Sequence, residues 1–294
     1  MIYRPLGKLQ VSIVGLGTGR LASRGGATRR EVEHLLDATR DSGINFIDTA
    51  DSYASGECER WLGAMLQGHQ RDHFLLATKA GYTFGNLPGP LRALNPFVKK
   101  ALHLAGRRQN FSTARLRGCV EQSLRRLRTD RVEFFFLHTP PPHVLATGEA
   151  MNLLADLKRE GKVRHFGVSS HDSAVLAAGA SAGAEVAQAP VNPQAVALPA
   201  LGIPVIANQV FLSGKLLAGR GAAATVKARA EEIARRLETS ARCVLLSYAL
   251  AQQGVACALT GTTNVNHLRQ NVGDALELAP LTVDDLAYLS APLA

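Results

Sequence analysis

The sequence predicts a (β/α)₈ barrel, also called a TIM barrel. Short apolar runs alternate with amphipathic segments along the whole chain, and eight of the apolar runs are strand candidates. Connections of crossover length between these runs favour parallel strands, and eight units favour closure into a barrel over an open sheet. The length of 294 residues suits one such barrel, so we expect a single domain over residues 1–294.

The elements can be placed in order along the chain. The predicted strands are residues 11–17, 44–48, 73–78, 132–137, 163–168, 185–188, 203–207 and 255–260, of which the sixth has the weakest pattern. Thr28 and Glu31 form a capping-box pattern that predicts the start of the first helix, and Gly43 suits its C-terminal end. Helical spacing of apolar residues predicts further helices over 112–127, 153–157, 226–238 and 244–252.

Two connections depart from the regular pattern. The segment between Lys79 and Ser112 is rich in Gly, Pro and basic residues and is too long for an ordinary connection, so residues 81–111 are the candidate substrate loop. The segment between Gln188 and Gly202 is short and interrupted by proline. We therefore expect the sixth helix to be shortened or missing.

Composition excludes several classes of protein. The chain is 46% hydrophobic without an apolar run long enough to cross a membrane, and its first residues lack an apolar signal core. Its four cysteines form no C-x-x-C pair, which favours reduced thiols and a cytoplasmic location. The net charge of +9 is spread along the chain without interleaved aromatic residues. A phosphate-bearing cofactor is therefore a better explanation of this charge than nucleic acid or a membrane surface.

Polar residues follow several of the predicted strands. Asp48 ends the second strand, Lys79 follows the third, His138 follows the fourth, and Tyr53 lies in the loop after Asp48. Each has an ordinary alternative, such as a helix cap, a surface lysine, a hydrogen-bonded histidine or loop packing. Because (β/α)₈ enzymes carry their chemistry at the C-terminal ends of the strands, convergence of all four on one rim favours a catalytic role.

This set of side chains suits acid catalysis on a carbonyl. Hydride addition places negative charge on the carbonyl oxygen, which then needs a proton. Tyr53 is a weak acid, and a neighbouring Lys79 ammonium is expected to lower its pKa. Asp48 can hold Lys79 in place and keep it charged, while His138 can orient the substrate oxygen. No cluster of residues has metal-ligand spacing, so we expect no metal.

Three segments resemble the catalytic motifs of the aldo-keto reductase family: residues 46–53 (FIDTADSY), 77–79 (ATK) and 136–138 (FLH). The opening YRPLG and VSIVGLGT, the run SLRRL at 123–127 and GKVRHFGVS at 161–169 extend the resemblance over most of the chain. It implies a (β/α)₈ barrel with NADP(H)-dependent oxidoreductase activity on a carbonyl or alcohol. It also implies that Tyr53 is the proton donor, assisted by Lys79 and Asp48, and that His138 orients the carbonyl.

The resemblance also implies a cofactor site. The family holds the nicotinamide amide with a Ser-Asn pair and a Gln, where this chain has Ser169, Ser170 and Gln188. Asn208 stands where the family often has an aromatic ring, and His267 where it often has an arginine. The remaining implied cofactor residues are Phe211, Ser213, Gly214, Gly261, Thr262, Thr263, Gln270 and Asn271.

Two other functions remain open at this stage. Lys79 at a strand end could form a Schiff base, as in a lyase, although a nearby Asp48 would oppose the uncharged amine that this needs. The chain could instead be a non-catalytic, nicotinamide-binding regulatory subunit on the same fold, since Ser170, Asn208 and His267 depart from the family pattern. The sequence names neither the substrate, which we expect to be a small molecule, nor the oligomeric state.

Overall fold

A computed structural model describes residues 1–22, 26–85, 87, 91, 94–106, 108–195 and 197–292. The fold is a closed barrel of eight parallel strands, as predicted. These strands are β3 (Val14–Gly17), β4 (Phe46–Asp48), β5 (Leu75–Ala80), β6 (Val132–His138), β7 (Val163–Ser169), β8 (Val186–Pro190), β9 (Val205–Asn208) and β10 (Val255–Gly261). Each strand pairs with the next in the chain, and β10 pairs with both β9 and β3 to close the barrel.

Helices surround the barrel. They are α1 (Arg29–Asp41), α2 (Glu57–Met65), α3 (His69–His73), α4 (Asn95–Leu104), α5 (Thr113–Leu127), α6 (Pro142–Ala146), α7 (Glu149–Arg159), α8 (Ser173–Ser181), α9 (Lys215–Ala218), α10 (Ala223–Arg236), α11 (Ala241–Ala251), α12 (Val265–Leu276) and α13 (Val283–Ser290). The predicted capping box is present, since the Thr28 hydroxyl accepts from the Glu31 amide and the Glu31 carboxylate accepts from the Thr28 amide. None of the helices among the described residues is both long and apolar enough to span a bilayer.

The prediction of one strand over residues 11–17 was wrong. Two elements occupy this run: β2 (Leu9–Ser12) and β3, which is the first strand of the barrel. β2 pairs antiparallel with β1 (Tyr3–Leu6) in a hairpin. Leu6 and Val11 of this hairpin pack with Phe46, Phe134 and other interior side chains of the barrel. The hairpin therefore closes the barrel at the end opposite the C-terminal ends of the strands.

Of the two irregular connections, only the one after β5 contains a helix in its described residues. Between β8 and β9 no helix is present in the described residues, which agrees with the expected loss of the sixth helix. The long connection after β5 contains α4, which the sequence did not place. The ends of this connection are held together, because Thr83 donates its amide to the Arg108 carbonyl at 2.9 Å and Asn110 donates to the Gly81 carbonyl at 2.8 Å.

Candidate functional site

The four predicted catalytic residues lie at the C-terminal end of the barrel. Asp48 is the last residue of β4, Lys79 lies one residue before the end of β5, and His138 ends β6. Adjacent parallel strands place these side chains on one rim. Tyr53 begins a short 3₁₀ turn, Tyr53–Gly56, that follows β4 and leads into α2.

Lys79 is buried at the centre of this group. Its Nζ donates to both carboxylate oxygens of Asp48 at 2.6 Å and to the Thr49 carbonyl at 2.9 Å. Burial is the largest influence on the lysine and lowers its pKa, but the charges of Asp48 and Tyr53 outweigh burial. The pKa of Lys79 is therefore raised, and the side chain stays a cation at neutral pH.

Tyr53 lies beside this cation, with its ring centroid 5.2 Å from Lys79 Nζ. The Lys79 ammonium is the largest influence on the phenol and lowers its pKa, as the sequence predicted. Burial and the Asp48 carboxylate act in the opposite direction and together exceed it, so the pKa of Tyr53 lies above its ordinary value. The expected net lowering is wrong, and the phenol keeps its proton throughout the neutral range.

His138 faces two aromatic rings. The Tyr53 ring lies edge-on at 6.3 Å between centroids, and the Tyr82 ring lies edge-on at 4.8 Å. Tyr82 belongs to the connection after β5 and forms an isolated bridge with Gln109, whose side-chain amide donates to the Thr139 carbonyl at 2.8 Å. The long loop is therefore fastened next to His138.

Ser169 and Gln188 form a chain of hydrogen bonds that ends on Asp48. The Ser169 hydroxyl donates to Gln188 Oε1, and Gln188 Nε2 donates to Asp48 Oδ1, both at 2.8 Å. Ser170 is buried next to them, and its hydroxyl accepts from the Asp172 amide at 3.1 Å. The geometry thus brings these predicted cofactor residues close to the catalytic group, and the chain from Ser169 through Gln188 also fixes the carboxylate that holds Lys79.

A cleft of about 590 Å³ opens beside Tyr53 and Asp48. Its walls include eight of the twelve residues predicted for the cofactor: Phe211, Ser213, Gly214, Gly261, Thr262, His267, Gln270 and Asn271. The other four, Ser169, Ser170, Gln188 and Thr263, lie outside the described walls. The structure therefore joins the loops after β9 and β10 to the catalytic rim in one cleft.

Other walls of the cleft were not predicted from the sequence. Gly17 is the last residue of β3 and residues 18–20 follow it, so the rule that barrel sites form at strand ends was the available signal. Arg242 lies in the first turn of α11 and donates to Asp274 and to Gln270 Oε1, the latter at 2.7 Å. Only tertiary packing brings this helix to the cleft, and no local pattern marks it.

The cleft has features that suit a nucleotide. The Asn208 side-chain oxygen is buried without a hydrogen-bond partner, and Asn208 lines the cleft, so a ligand donor would satisfy it. Arg20, Arg242 and His267 contribute basic groups to the walls. At the start of α12, however, the Asn264 side chain already accepts from the Asn266 and His267 amides, which leaves fewer free N–H groups for an anion than the sequence implied.

Metal ligands are not grouped in the described part of the chain. No three His, Cys, Asp or Glu residues there lie close enough together to hold an ion. The cysteines Cys58, Cys119, Cys243 and Cys257 are all buried, and none is joined to another by a disulfide.

Comparisons with known proteins agree with the fold and the motifs. The model of the aldo/keto reductase family matches residues 13–293. A D-threo-aldose 1-dehydrogenase from a Pseudomonas species is 34% identical over 148 residues, which are 48% of this chain and 44% of that protein. The matched segment thus covers less than half the length of that relative.

Solved structures extend the similarity over the whole barrel. A putative aldo-keto reductase from Pseudomonas aeruginosa is 28% identical, with a TM-score of 0.70 and 94% of each chain covered. An aldo-keto reductase from Bacillus halodurans has a TM-score of 0.78 over 98% of this chain and 95% of its own, and its 24% identity bears on the fold alone. The family model matches nearly the full length of this chain, which therefore belongs to the aldo/keto reductase family of oxidoreductases.

Proposed function

We propose that the chain is an NADP(H)-dependent oxidoreductase that transfers hydride to or from a small carbonyl or alcohol substrate, with Tyr53 as the proton donor. The observation that carries the proposal is that Tyr53, which lies beside the Lys79–Asp48 pair, opens on the same cleft as eight of the twelve residues predicted for the cofactor. A phenol, an ammonium and a nucleotide-sized cleft at one barrel rim suit this reaction better than a Schiff base, because Asp48 keeps Lys79 protonated.

Each catalytic side chain has a distinct task in the reduction. The Tyr53 hydroxyl donates its proton to the substrate oxygen as negative charge develops there. The Lys79 ammonium stabilises the phenolate that remains, and Asp48 keeps that ammonium charged and in place. His138 is near enough to the Tyr53 ring to orient the substrate oxygen between them. The raised pKa of Tyr53 keeps the acid form available at neutral pH.

The cofactor would occupy the cleft described above. A bound nicotinamide would supply the hydride in reduction or accept it in oxidation. Asn208 offers the buried acceptor, and Phe211, Ser213 and Gly214 would contact the cofactor from the loop after β9. Arg20, Arg242 and His267 support the choice of NADP(H) over NAD(H), because side chains of these types in the cleft walls can donate hydrogen bonds to an additional phosphate.

Titration of both reduced cofactors tests that choice. We expect NADPH to quench protein fluorescence, or to gain nicotinamide fluorescence, at lower concentration than NADH. Replacing His267 and Arg242 separately with Gln should weaken NADPH binding more than NADH binding, while Arg235→Gln, an exposed change on α10, should affect neither. Tighter binding of NADH than of NADPH would overturn the assignment.

A substrate panel tests the activity itself. Oxidation of NADPH should be followed with aldehydes, ketones and sugars, and reduction of NADP⁺ with sugar lactols, which the name of the aldose dehydrogenase relative brings into the panel. Turnover of at least one class is the expected result. A protein that binds NADPH but turns over nothing in a broad panel would favour the alternative, a regulatory subunit that binds the nicotinamide cofactor without catalysis.

A further inference from the structure

A second cavity, of about 440 Å³, lies between α2, α5 and the start of α1. We call it the arginine pocket, because its walls contain five arginines: Arg29, Arg60, Arg125, Arg126 and Arg128. Among the described residues, Glu57 is the one acidic residue in its walls. It shares no wall residue with the cleft beside Tyr53. Nothing in the proposed hydride transfer uses it.

Few of these arginines have a counter-charge. Arg126 is buried and donates through Nε to Glu59 at 2.6 Å, and Arg60 lies 3.2 Å from Glu57. Arg29 lies over the Trp61 ring, 5.5 Å from its centroid. Across the residues that the structure describes, Arg29, Arg125 and Arg128 have no carboxylate within 4.0 Å. Three exposed arginines without a carboxylate partner in the described part of the chain thus line one concave space.

The helix dipoles explain only part of this arrangement. Arg125, Arg126 and Arg128 lie at the C-terminal end of α5, where cations stabilise the partial negative charge of the helix. Arg29 is the first residue of α1, where a cation is unfavourable for the same reason. An anion in the pocket would compensate the charge of Arg29, which the dipole of α1 does not stabilise.

The frame of the pocket is rigid. At Gly63 a Cβ atom would come within 2.1 Å of the Arg126 carbonyl oxygen, so α2 and α5 pack as closely as their backbones allow. Arg126 is fixed by Glu59 and by Ser123, whose hydroxyl accepts from Nη2 at 3.3 Å. Glu59 in turn accepts from the Thr78 hydroxyl at 2.7 Å. Arg126 therefore loses little conformational entropy when a ligand binds, whereas Arg29, Arg125 and Arg128 are exposed side chains around it.

We propose that the arginine pocket is a binding site for a small phosphate-bearing anion, separate from the cofactor cleft. Guanidinium groups pair with phosphate oxygens through two parallel hydrogen bonds, and several of them around one cavity favour a multiply charged anion over a single carboxylate. The volume lies in the range of small-molecule sites. The inference does not depend on the proposed hydride transfer.

Calorimetric titration with inorganic pyrophosphate tests the proposal. The protein is first saturated with NADPH, so that any phosphate subsite of the cofactor cleft is already filled, and the titration is run at low salt in a phosphate-free buffer. We expect one saturable site whose affinity falls as NaCl is added. Titration of NADPH into protein already saturated with pyrophosphate should give an unchanged cofactor affinity.

Matched double variants locate the site. Arg125→Gln/Arg128→Gln removes two exposed arginines of the pocket, and Arg164→Gln/Arg235→Gln removes two exposed arginines elsewhere with the same change in net charge. The pocket variant should lose at least about tenfold in pyrophosphate affinity, since each charge-assisted contact is worth about that factor. The control should bind as the wild type does, and thermal unfolding should show that both variants are folded.

Three results would overturn the proposal. They are the absence of saturable pyrophosphate binding in the presence of NADPH, equal weakening in the pocket and control variants, and competition between pyrophosphate and NADPH. The last result would assign pyrophosphate to the cofactor cleft.

Discussion

The ammonium group of Lys79 is held by three oxygen atoms in a fully buried setting, and this pair also supports the fold. Lys79 and Asp48 are 1% and 4% exposed. Removal of one partner leaves an uncompensated buried charge, whereas removal of both leaves none. A loss of activity in a single variant therefore has a structural as well as a chemical cause.

Paired variants at these positions separate the two causes. Lys79→Met should destabilise the protein by about 3–5 kcal/mol in urea unfolding, because Asp48 is left buried without its cation. Asp48→Asn/Lys79→Met should recover most of that loss while carbonyl reduction stays low. Equal stability of the single and double variants would contradict this account of the pair.

Asp51 is a second buried carboxyl near the site, and it predicts a pH dependence of stability. Burial is the main cause that raises its pKa from 3.8 to about 8, with a further rise from Glu59 and opposing effects of Arg126 and Arg115. The folded protein therefore binds this proton more tightly than the unfolded chain does. The stabilisation is complete below about pH 4 and is lost as the pH rises towards about 8.

Replacement of Asp51 by Asn removes this titration. The variant should gain stability relative to the wild type as the pH rises from about 5 to about 8, by at most about 1.4 kcal/mol per pH unit. Free energies of unfolding from urea titrations across this range provide the measurement. If the two stability profiles run parallel, Asp51 is already ionised in the folded protein.

Among the helices, strands and connections, sequence patterns predicted those features that interactions between neighbouring residues determine. The Thr28–Glu31 capping box and the proline-interrupted segment before β9 were both visible in the sequence. The break between β2 and β3 was not, because the apolar run continues across it. Ser12 ends β2 through long-range contacts: its amide donates to Asn45 Oδ1 at 2.8 Å, and its hydroxyl accepts from the Asn45 amide at 3.1 Å.

The candidate site could likewise be predicted from the sequence only in part. Asp48, Lys79 and His138 could be found because each lies at a strand end that periodicity predicts. The net shift in the pKa of Tyr53 could not, since it depends on how far the phenol is buried and how near Asp48 lies. Arg242 could not be found either, because it reaches the cleft from a helix whose packing the sequence does not specify.

The connection after β5 is the element to test as a substrate loop. Replacement of residues 86–106 by a short Gly-Ser linker would retain the Tyr82–Gln109 bridge next to His138. The relative KM values across a carbonyl panel should change. NADPH affinity should stay within about twofold, because none of the described residues of 81–111 lines the cleft. Lost NADPH binding with unchanged substrate preference would assign the loop to the cofactor.

At the scale of the whole molecule, the barrel converts separate sequence motifs into one site. Parallel pairing of β4, β5 and β6 places Asp48, Lys79 and His138 on one rim, and closure of β10 on β3 brings the last loop of the barrel beside the first. Some of the arginines that contribute to the net charge of +9 also lie together, in the walls of the cleft and of the arginine pocket. The fold thus explains why residues more than two hundred positions apart form one cleft.

The proposed role of Tyr53 is to give up a proton in hydride transfer. Tyr53→Phe removes the hydroxyl and keeps the ring, so the most direct test compares this variant with the wild type in steady-state carbonyl reduction and in NADPH titration. We expect kcat to fall by at least about 10²–10⁴-fold while the Kd for NADPH changes little. Near-normal carbonyl reduction by Tyr53→Phe would show that Tyr53 is not the proton donor, even with the fold and the family unchanged.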